Sequence, residues 1–271
     1  MAMSEVVRRY YDDSVMREWE RLEGPYRRFE LASTIRLIEE FFPKRGRIVD
    51  IGGGPGRYAI ELLKMGYAVT LIDLSGNAIA FAEEKLAELG LTADLIAADA
   101  RDLSMIEDLS FDGALMLGPL YHIVDEEGRS AALSELRRII KPGAPAIIGF
   151  INPWGIIRSG LTEFPHEYTV YERAAALLSP CVQAGEQEAF TEAAFVTPPH
   201  AIAELRAAGF AIETRAGVEG FAAGMLDEVE RMAASDPEAY ANVLRLVVET
   251  STSPPYRDCT EHLHIVARRI D

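Results

Sequence analysis

The chain has 271 residues, of which 49% are hydrophobic and 26% charged, a composition typical of a soluble globular protein with a sizeable core. Its formal net charge is −16, from 27 Lys and Arg against 43 Asp and Glu, which argues against binding to nucleic acid or to an anionic membrane surface. Cys181 and Cys259 lie far apart and predict neither a disulfide framework nor a zinc site, and no apolar run predicts a signal peptide or membrane span, so we expect a cytoplasmic protein.

The predicted elements begin with two helices in residues 4–42, interrupted at Gly24-Pro25. From residue 47 onward, short apolar runs alternate with helical segments. Strands are predicted at 47–51, 68–72, 93–97, 113–117 and 146–150, and helices at 58–64, 78–89 and 129–140. Apolar strands separated by helices predict a doubly wound, mostly parallel α/β sheet that is covered on both faces.

After residue 150 the pattern changes. Residues 152–198 carry aromatic and turn residues with weak periodicity, among them Phe190, and predict an insertion over the sheet edge. The alternation then resumes with a helix at 199–208 and a strand at 210–215. A helical elaboration over 222–250 and a final strand at 262–267 complete the predicted elements.

A glycine-rich turn, Gly52-Gly53-Gly54-Pro55-Gly56, follows the first predicted strand. Glycines let a ligand approach the backbone, and the helix that follows offers free N–H groups. Residues 54–59 fit the G-x-G-x-x-A pattern of NAD sites. Asp50, just before the turn, would instead repel a pyrophosphate and suits a ligand with a cationic amine, such as S-adenosylmethionine. The pattern favours S-adenosylmethionine and keeps NAD as the alternative.

Two further acids follow the next two strands. Asp73 ends the second strand, where a carboxylate can accept hydrogen bonds from both hydroxyls of a ribose. Asp99 follows the third, where an acid can accept a hydrogen bond from an adenine amino group and Ala100 leaves space for the ring. Either acid has a simpler alternative role as a turn or helix cap.

Taken together, Asp50-x-Gly52-x-Gly54-x-Gly56, Asp73 and Asp99-Ala100 resemble the class I S-adenosylmethionine-dependent methyltransferase family over residues 44–151. The two C-terminal strands resemble the reversed hairpin that closes that family's seven-stranded, Rossmann-like sheet. The likeness is greatest to small-molecule methyltransferases of ubiquinone and menaquinone biosynthesis. It implies S-adenosylmethionine as cofactor, S-adenosylhomocysteine as product, and a cofactor site formed by Asp50, Gly52, Gly53, Gly54, Gly56, Asp73, Leu74, Asp99, Ala100, Arg101, Leu117 and Tyr11.

The same resemblance organises the chain into four parts: an N-terminal helical cap (1–43), the cofactor-binding half of the methyltransferase domain (44–151), a lid or substrate insertion (152–198) and the C-terminal part of the sheet with its helical elaboration (199–271).

The fourth predicted strand leads into Gly118-Pro119-Leu120-Tyr121-His122, which in this family faces the methyl donor. Family members that methylate exocyclic nitrogens of adenine or glutamine usually carry an Asn/Asp-Pro-Pro-aromatic tetrad there, so its absence disfavours those substrates. His122 is the candidate general base because it titrates near neutral pH, although packing against the next helix is an equal alternative. Tyr121 is predicted to line the pocket.

The substrate pocket is predicted beneath the N-terminal helices and the insertion, whose aromatic and charged residues would contact the acceptor, with membership of the core as their alternative role. These residues are Tyr10, Trp19, Arg27, Trp154, Arg158, His166, Tyr168 and Tyr171. No dense carboxylate or histidine cluster implies a metal.

The predicted function is methyl transfer from S-adenosylmethionine to a small molecule, with the accepting atom left open among oxygen, nitrogen, sulfur and carbon. An RNA or protein methyltransferase, or a non-catalytic S-adenosylmethionine-binding partner subunit, are the alternatives. We expect neither a nucleic-acid nor a membrane partner, and a homodimer is compatible with the sequence.

Overall fold

The computed structural model describes residues 3–183 and 191–271, and within them nine strands form a single sheet. The strands are β1 (Arg47–Ile51), β2 (Ala68–Asp73), β3 (Asp94–Ala97), β4 (Gly113–Met116), β5 (Pro145–Ile151), β6 (Cys181–Gln183), β7 (Ala193–Phe195), β8 (Phe210–Gly217) and β9 (His262–Arg269).

Helices cover both faces of the sheet. Several of them begin after a polar residue whose side chain accepts a hydrogen bond from a backbone N–H of the first turn, as Ser75 and Asp125 do. The helices are α1 (Met3–Asp13), α2 (Val15–Arg21), α3 (Arg28–Phe41), α4 (Arg57–Lys64), α5 (Gly76–Glu88), α6 (Pro119–His122), α7 (Glu126–Ile139), α8 (Pro153–Glu163), α9 (Tyr171–Ala176), α10 (Pro198–Ala207), α11 (Leu226–Ser235), α12 (Pro237–Thr250) and α13 (Pro254–Arg257).

The sheet is parallel from β3 through β2, β1 and β4 to β5. The strand order reverses between β1 and β4, so the connections that leave their carboxyl ends run to opposite faces of the sheet and leave a crevice, the usual ligand position in such sheets. β9 runs antiparallel between β5 and β8. The predicted α/β fold class is confirmed, and the reversed C-terminal hairpin is present.

The sheet also contains two strands beyond the predicted seven. β6 and β7 come from the 152–198 segment, pair antiparallel with each other, and join β5 through the single pair of Ile151 with Phe195. Each has only three residues, too few to show an alternating pattern in the sequence. The same segment contains α8 and α9, while residues 184–190, including Phe190, lie outside the described residues.

The core lies in two apolar layers, one on each face of the sheet. Ile48 of β1 packs in the layer that contains α3 and α4, whereas Val49 and Ile51 pack in the layer that contains α7. Because both faces are covered, the central strands have continuous apolar stretches instead of an alternation with polar residues. Asp50 projects on the same face as Ile48, and its carboxyl group is therefore buried among apolar side chains.

Across the described ranges, none of the helices combines the length and apolar character that crossing a bilayer requires.

Candidate active site

A cavity with about 1200 Å³ of empty space, including its open mouth, lies at the carboxyl ends of the parallel strands. Its first wall is formed by the turns after β1, β2, β3 and β4, and we call it the strand-end wall. A second part of the lining, which we call the helical wall, consists of Val7, Tyr11, Glu18, Arg21, Leu22 and Glu30 from α1, α2, α3 and their connections. The cavity therefore lies where the topology of the sheet places a ligand.

The glycine-rich turn gives the strand-end wall its shape. Gly52 has φ +70°, and a Cβ there would lie 2.5 Å from the ring of Pro119. Gly54 has φ +54°, but a Cβ there would meet no described heavy atom within 4 Å, so it would project into open space at the cavity. Gly52 therefore permits close packing against α6, and Gly54 leaves room for a ligand beside the backbone.

Asp50 lies beneath this turn with 1% of its surface exposed. Its Oδ2 has no hydrogen-bond partner among residues 3–183 and 191–271, and only the absence of a Cβ at Gly53 leaves space for that oxygen. Burial, reinforced by the nearby Asp73, raises the pKa of Asp50 to about 7. A buried carboxyl with an oxygen that has no hydrogen-bond partner is costly unless a cation or hydrogen-bond donor approaches it. The ammonium and sulfonium groups of S-adenosylmethionine match that requirement.

Asp73 ends β2 and holds the turn in place. Its Oδ2 accepts a hydrogen bond from Gly54 N (2.8 Å), and its Oδ1 accepts one from Ser75 N (2.8 Å). Burial raises the pKa of Asp73 to about 6 even though these two N–H groups favour the ionised form. Each carboxylate oxygen keeps a second lone pair, so Asp73 can both stabilise the backbone and accept hydrogen bonds from a ligand.

Asp99 carries an ion pair beside the cavity. Arg101 Nε and Nη2 donate to its two carboxylate oxygens at 2.9 and 2.6 Å. Burial by itself would raise the pKa of Asp99, but the hydrogen bonds from Arg101 lower it below its usual value. Asp99 is therefore a fixed, ionised acceptor, with the small Ala100 next to it in the cavity lining.

All but one of the predicted cofactor residues line this one cavity. The exception is Gly56, with φ +85°, where a Cβ would lie 3.3 Å from Ala82 Cβ and would disturb the packing of α4 against α5. The individual contacts with the cofactor remain predictions. The residues that the structure brings together are Tyr11, Asp50, Gly52, Gly53, Gly54, Asp73, Leu74, Asp99, Ala100, Arg101 and Leu117.

Both predicted catalytic residues lie on α6 and line the cavity. His122 Nε2 lies 2.5 Å from Tyr11 Oη, and its Nδ1 lies 3.4 Å from the backbone carbonyl oxygen of Glu192. Burial lowers the pKa of His122 to about 4, so the imidazole is neutral at pH 7. The Tyr121 ring lies beside it, with centroids 4.6 Å apart, and burial raises the pKa of its hydroxyl.

The helical wall contains an ion pair that the sequence analysis missed. Arg21 Nη1 and Nη2 donate to Glu30 Oε2 and Oε1 at 2.6 and 3.1 Å, and Tyr58 Oη donates to Glu30 Oε1 at 3.3 Å. Burial by itself would raise the pKa of Glu30, but Arg21 holds it well below its ordinary value. Glu18 and Arg21 lie one helical turn apart, and this spacing in the sequence indicates an ion pair on α2. The docking of α2 decides whether that face lines the cavity, and the sequence pattern does not show how α2 docks.

The predicted acceptor residues of the N-terminal helices are not among the described residues that line the cavity. Trp19 instead packs against Phe81, and the Arg57 guanidinium lies 3.5 Å from its ring centroid. Arg27 pairs with Glu261 at 3.5 Å, and Tyr10 projects beside the cavity-lining Tyr11. Cation–π and ion-pair contacts with the rest of the fold hold Trp19 and Arg27 outside the described cavity lining.

The predicted acceptor residues of the insertion are also absent from the described cavity lining. Trp154 Nε1 donates to Leu178 O, Arg158 Nη2 donates to Phe221 O, and Tyr168 Oη donates to Ile157 O, so three of them bond to nearby backbone. The other two are exposed at the surface, with 76% of Tyr171 accessible and His166 beside Glu167. In this structure the described part of the insertion packs next to the sheet and not over the cavity.

A second polar cluster lies outside the cavity lining, where Glu219, Glu261 and His262 bring possible metal-ligand atoms within 4.8 Å of one another. His262 Nδ1 lies 2.6 Å from Glu219 Oε1, and Arg27 Nη1 lies 3.5 Å from Glu261 Oε2. Burial by itself would lower the pKa of His262, but Glu219 raises it. Two carboxylates thus face two basic side chains, and ion pairing accounts for the cluster without a metal.

Comparison with known proteins finds a family match for the part of the chain that contains β1 to β4. Residues 48–143 match the protein family described as "Methyltransferase domain". A tRNA 5-carboxymethoxyuridine methyltransferase of Escherichia coli K12 is 23% identical over 240 residues, which cover 86% of this chain and 84% of that protein. A ubiquinone biosynthesis O-methyltransferase of Xanthomonas axonopodis pv. citri is 25% identical, over 49% of this chain and 56% of that protein.

Among solved structures, the 1,6-didemethyltoxoflavin-N1-methyltransferase of Burkholderia thailandensis, determined with its substrate and S-adenosylhomocysteine, shares the fold with a TM-score of 0.62. The two are 18% identical, and the match covers 98% of this chain and 88% of that one. The fold, the domain match and the unpaired buried acid beneath the glycine turn agree with one another.

Proposed function

We propose that the chain, which is a class I S-adenosylmethionine-dependent methyltransferase, transfers the methyl group to a small molecule and releases S-adenosylhomocysteine. The observation that carries the proposal is the helical wall. Val7, Tyr11 and Leu22 line the cavity together with the strand-end turns, which favours an acceptor small enough to fit between the two walls. The net charge of −16 supports the same conclusion, because a polyanionic substrate would be repelled.

The residues of this chain contribute orientation and charge. S-adenosylmethionine, when bound, supplies a methyl group on a positively charged sulfur. Asp50, Asp73 and Gly54 would hold it against the strand-end wall, where the buried Asp50 carboxyl gains a cationic partner. Methyl transfer needs little besides alignment and exclusion of water, which the two walls provide. His122 is the candidate base at the α6 end.

A tRNA acceptor is the second candidate, because the E. coli tRNA methyltransferase matches across most of both chains. Three arginines line the cavity, but Arg21 and Arg101 are paired with Glu30 and Asp99, and Arg57 is bonded to Glu23. Phosphate contacts require basic side chains that are available to the nucleic acid. The charge distribution therefore favours the small molecule.

The test has two stages. Calorimetric titration with S-adenosylhomocysteine, NAD and NADP should show binding of S-adenosylhomocysteine alone, at micromolar affinity or ~8 kcal/mol. Methyl-labelled donor is then added with the enzyme to a cell extract, which is separated into small molecules, protein and RNA. We expect label in the small-molecule fraction. Label that stays with RNA and is released by ribonuclease would establish the second candidate instead.

A further inference from the structure

Two cavity residues from distant parts of the chain meet in a short hydrogen bond. Tyr11 lies on α1 and His122 on α6, and Tyr11 Oη and His122 Nε2 are 2.5 Å apart. Both side chains line the cavity. Their rings meet edge to face, with centroids 5.2 Å apart. We call them the Tyr11–His122 pair.

The direction of this hydrogen bond follows from the other nitrogen of the ring. His122 Nδ1 faces the backbone carbonyl oxygen of Glu192, which can only accept, so Nδ1 carries the hydrogen. In a neutral imidazole Nε2 then carries the lone pair and accepts the Tyr11 hydroxyl hydrogen. Burial lowers the pKa of His122 to about 4, which agrees with a neutral ring at pH 7.

The position of Tyr11 is set by the residue that follows it. Ser75 Oγ donates to Asp12 Oδ1 at 2.5 Å, and Asn77 Nδ2 donates to the backbone oxygen of Asp12 at 3.2 Å. These bonds attach the end of α1 to the start of α5, directly after the strand that ends in Asp73. The docking of α1 therefore completes the Tyr11–His122 pair.

We propose that the Tyr11–His122 pair is a proton relay, and that the methyl acceptor of this enzyme is a hydroxyl or an N–H group instead of a carboxylate. This inference rests on the proposed function. As the acceptor atom forms its bond to the methyl carbon, the carbon–sulfur bond of the sulfonium donor breaks and its electron pair stays on sulfur. The acceptor proton moves to Tyr11 Oη, and the Tyr11 proton moves to His122 Nε2, so the positive charge passes from sulfur to imidazolium.

The choice of acceptor class follows from what a relay is for. A carboxylate is already ionised at pH 7 and has no proton to lose, so a base beside it would be idle. A hydroxyl or N–H acceptor must lose a proton during or after attack, and a positioned base accelerates that step. Tyr11 is the outer end of the pair, because it is partly exposed whereas His122 is buried.

The direct test compares Tyr11→Phe with wild type, using the small molecule labelled in the extract. We expect kcat to fall about 100-fold, within the usual range for losing general base catalysis. Affinity for S-adenosylhomocysteine should fall much less than kcat, because the phenyl ring that lines the cavity is retained. Tyr67→Phe is the matched control, since it removes a tyrosine hydroxyl that donates to Pro43 O outside the cavity lining. Wild-type kcat in Tyr11→Phe would overturn the relay.

The product shows whether the acceptor was a carboxylate. Methyl esters are cleaved by mild alkali, whereas methyl ethers and N-methyl groups are stable, so we expect alkali-stable label. Alkali-labile label in a small molecule would overturn this inference while leaving the proposed function intact. Label in RNA, or no binding of S-adenosylhomocysteine, would instead be a failure of the proposed function.

A spectroscopic measurement decides the proton position without any substrate. In ¹⁵N-histidine-labelled protein with S-adenosylhomocysteine, the His122 signals are assigned by their loss in His122→Gln. We expect an unprotonated Nε2 at pH 7 and a clear shift of that signal in Tyr11→Phe, but not in Tyr67→Phe. A hydrogen on Nε2 would overturn the relay, since His122 could then not receive the proton from Tyr11.

Discussion

The two walls of the cavity differ in whether their buried carboxyl group has a charged partner. In the strand-end wall, the carboxyl of Asp50 has an oxygen without a described partner, and burial raises its pKa to about 7. In the helical wall, Glu30 is equally buried but bonded twice to Arg21, which lowers its pKa. A cationic ligand could supply the partner that the Asp50 carboxyl lacks, whereas the charge of Glu30 is already balanced by Arg21. An unpaired buried acid therefore indicates a binding site more strongly than a paired one.

The largest expected effect comes from filling the space beside the glycine turn. Gly54→Leu should weaken S-adenosylhomocysteine binding at least 1,000-fold, about 4 kcal/mol, because its side chain would project into the ligand space. Calorimetric titration measures this loss.

Gly90→Leu is the matched control for backbone strain. Gly90 has φ +67° and, like Gly54, would give a Cβ with no described atom within 4 Å, but it does not line the cavity. Both variants should lose about 1–2 kcal/mol of stability from the left-handed conformation, and only Gly54→Leu should lose binding. Equal affinities in the two variants would show that the strand-end wall is not the cofactor site.

The second prediction concerns Asp50, the buried acid without a cationic partner among the described residues. The pKa of Asp50 is about 7 in the folded protein against about 3.9 in the unfolded chain, so the free energy of unfolding should fall as pH rises from 4 to 7 and level off above. Asp50→Asn should stabilise the ligand-free protein at pH 8 by on the order of 4 kcal/mol, at 1.36 kcal/mol per pKa unit, and weaken cofactor binding. Urea unfolding from pH 5 to pH 8 measures it.

The control for this experiment is Asp13→Asn, which removes a charge from an exposed ion pair with Arg9. It reports how much of the pH dependence comes from general repulsion in a chain of net charge −16. If Asp13→Asn and Asp50→Asn change stability equally, the burial of Asp50 has no special effect.

Mutation of the Arg21–Glu30 ion pair in the helical wall should lower the free energy of unfolding. Glu30→Gln should cost about 2 kcal/mol, less than a fully buried pair because Arg21 is one-third exposed and also faces Glu18. The pKa of Glu30 is lowered on folding, so its contribution is present above pH ~4.3 and declines as pH falls below that value. Chemical denaturation at pH 7 checks the cost, with Glu5→Gln, in an exposed pair with Arg8, as a control that should change it by under 1 kcal/mol.

The smallest expected effect lies outside both walls. Tyr171→Ala, on the insertion, should change unfolding free energy and S-adenosylhomocysteine affinity by less than about 0.5 kcal/mol, since 76% of the side chain is exposed. Thermal unfolding and calorimetry measure these quantities. A large loss of affinity would show that the insertion closes over the cavity in solution and would add a third wall to the comparison.

The two walls also differ in how far the sequence predicts them. The strand-end wall is made of short stretches that directly follow apolar strands, so β1, Gly54 and Asp73 were placed from local pattern alone. In the helical wall, the side chain that reaches the cavity is decided by helix docking. Tyr11, predicted as a cofactor residue, lines the cavity, whereas Arg21 and Glu30, which also line it, were not predicted.

Aromatic content was the least informative guide. Trp19 was predicted to contact the acceptor, but stacking with Arg57 and Phe81 draws it away from the cavity. Trp154 and Tyr168 were predicted for the same reason, and each bonds to backbone within the same insertion. Aromatic rings fill packing gaps as readily as they bind ligands, so their presence in a segment without clear periodicity does not distinguish the two roles.

The position of β9 between β5 and β8 has a consequence for how the chain folds. Every residue of β5 is buried, and β9, which covers one of its edges, comes from far along the chain. Until those distant residues dock, an apolar strand with an open edge is available to other chains, and such non-local pairings form slowly. Aggregation during refolding should therefore compete with the docking of β9, and dilute refolding conditions should favour the native protein.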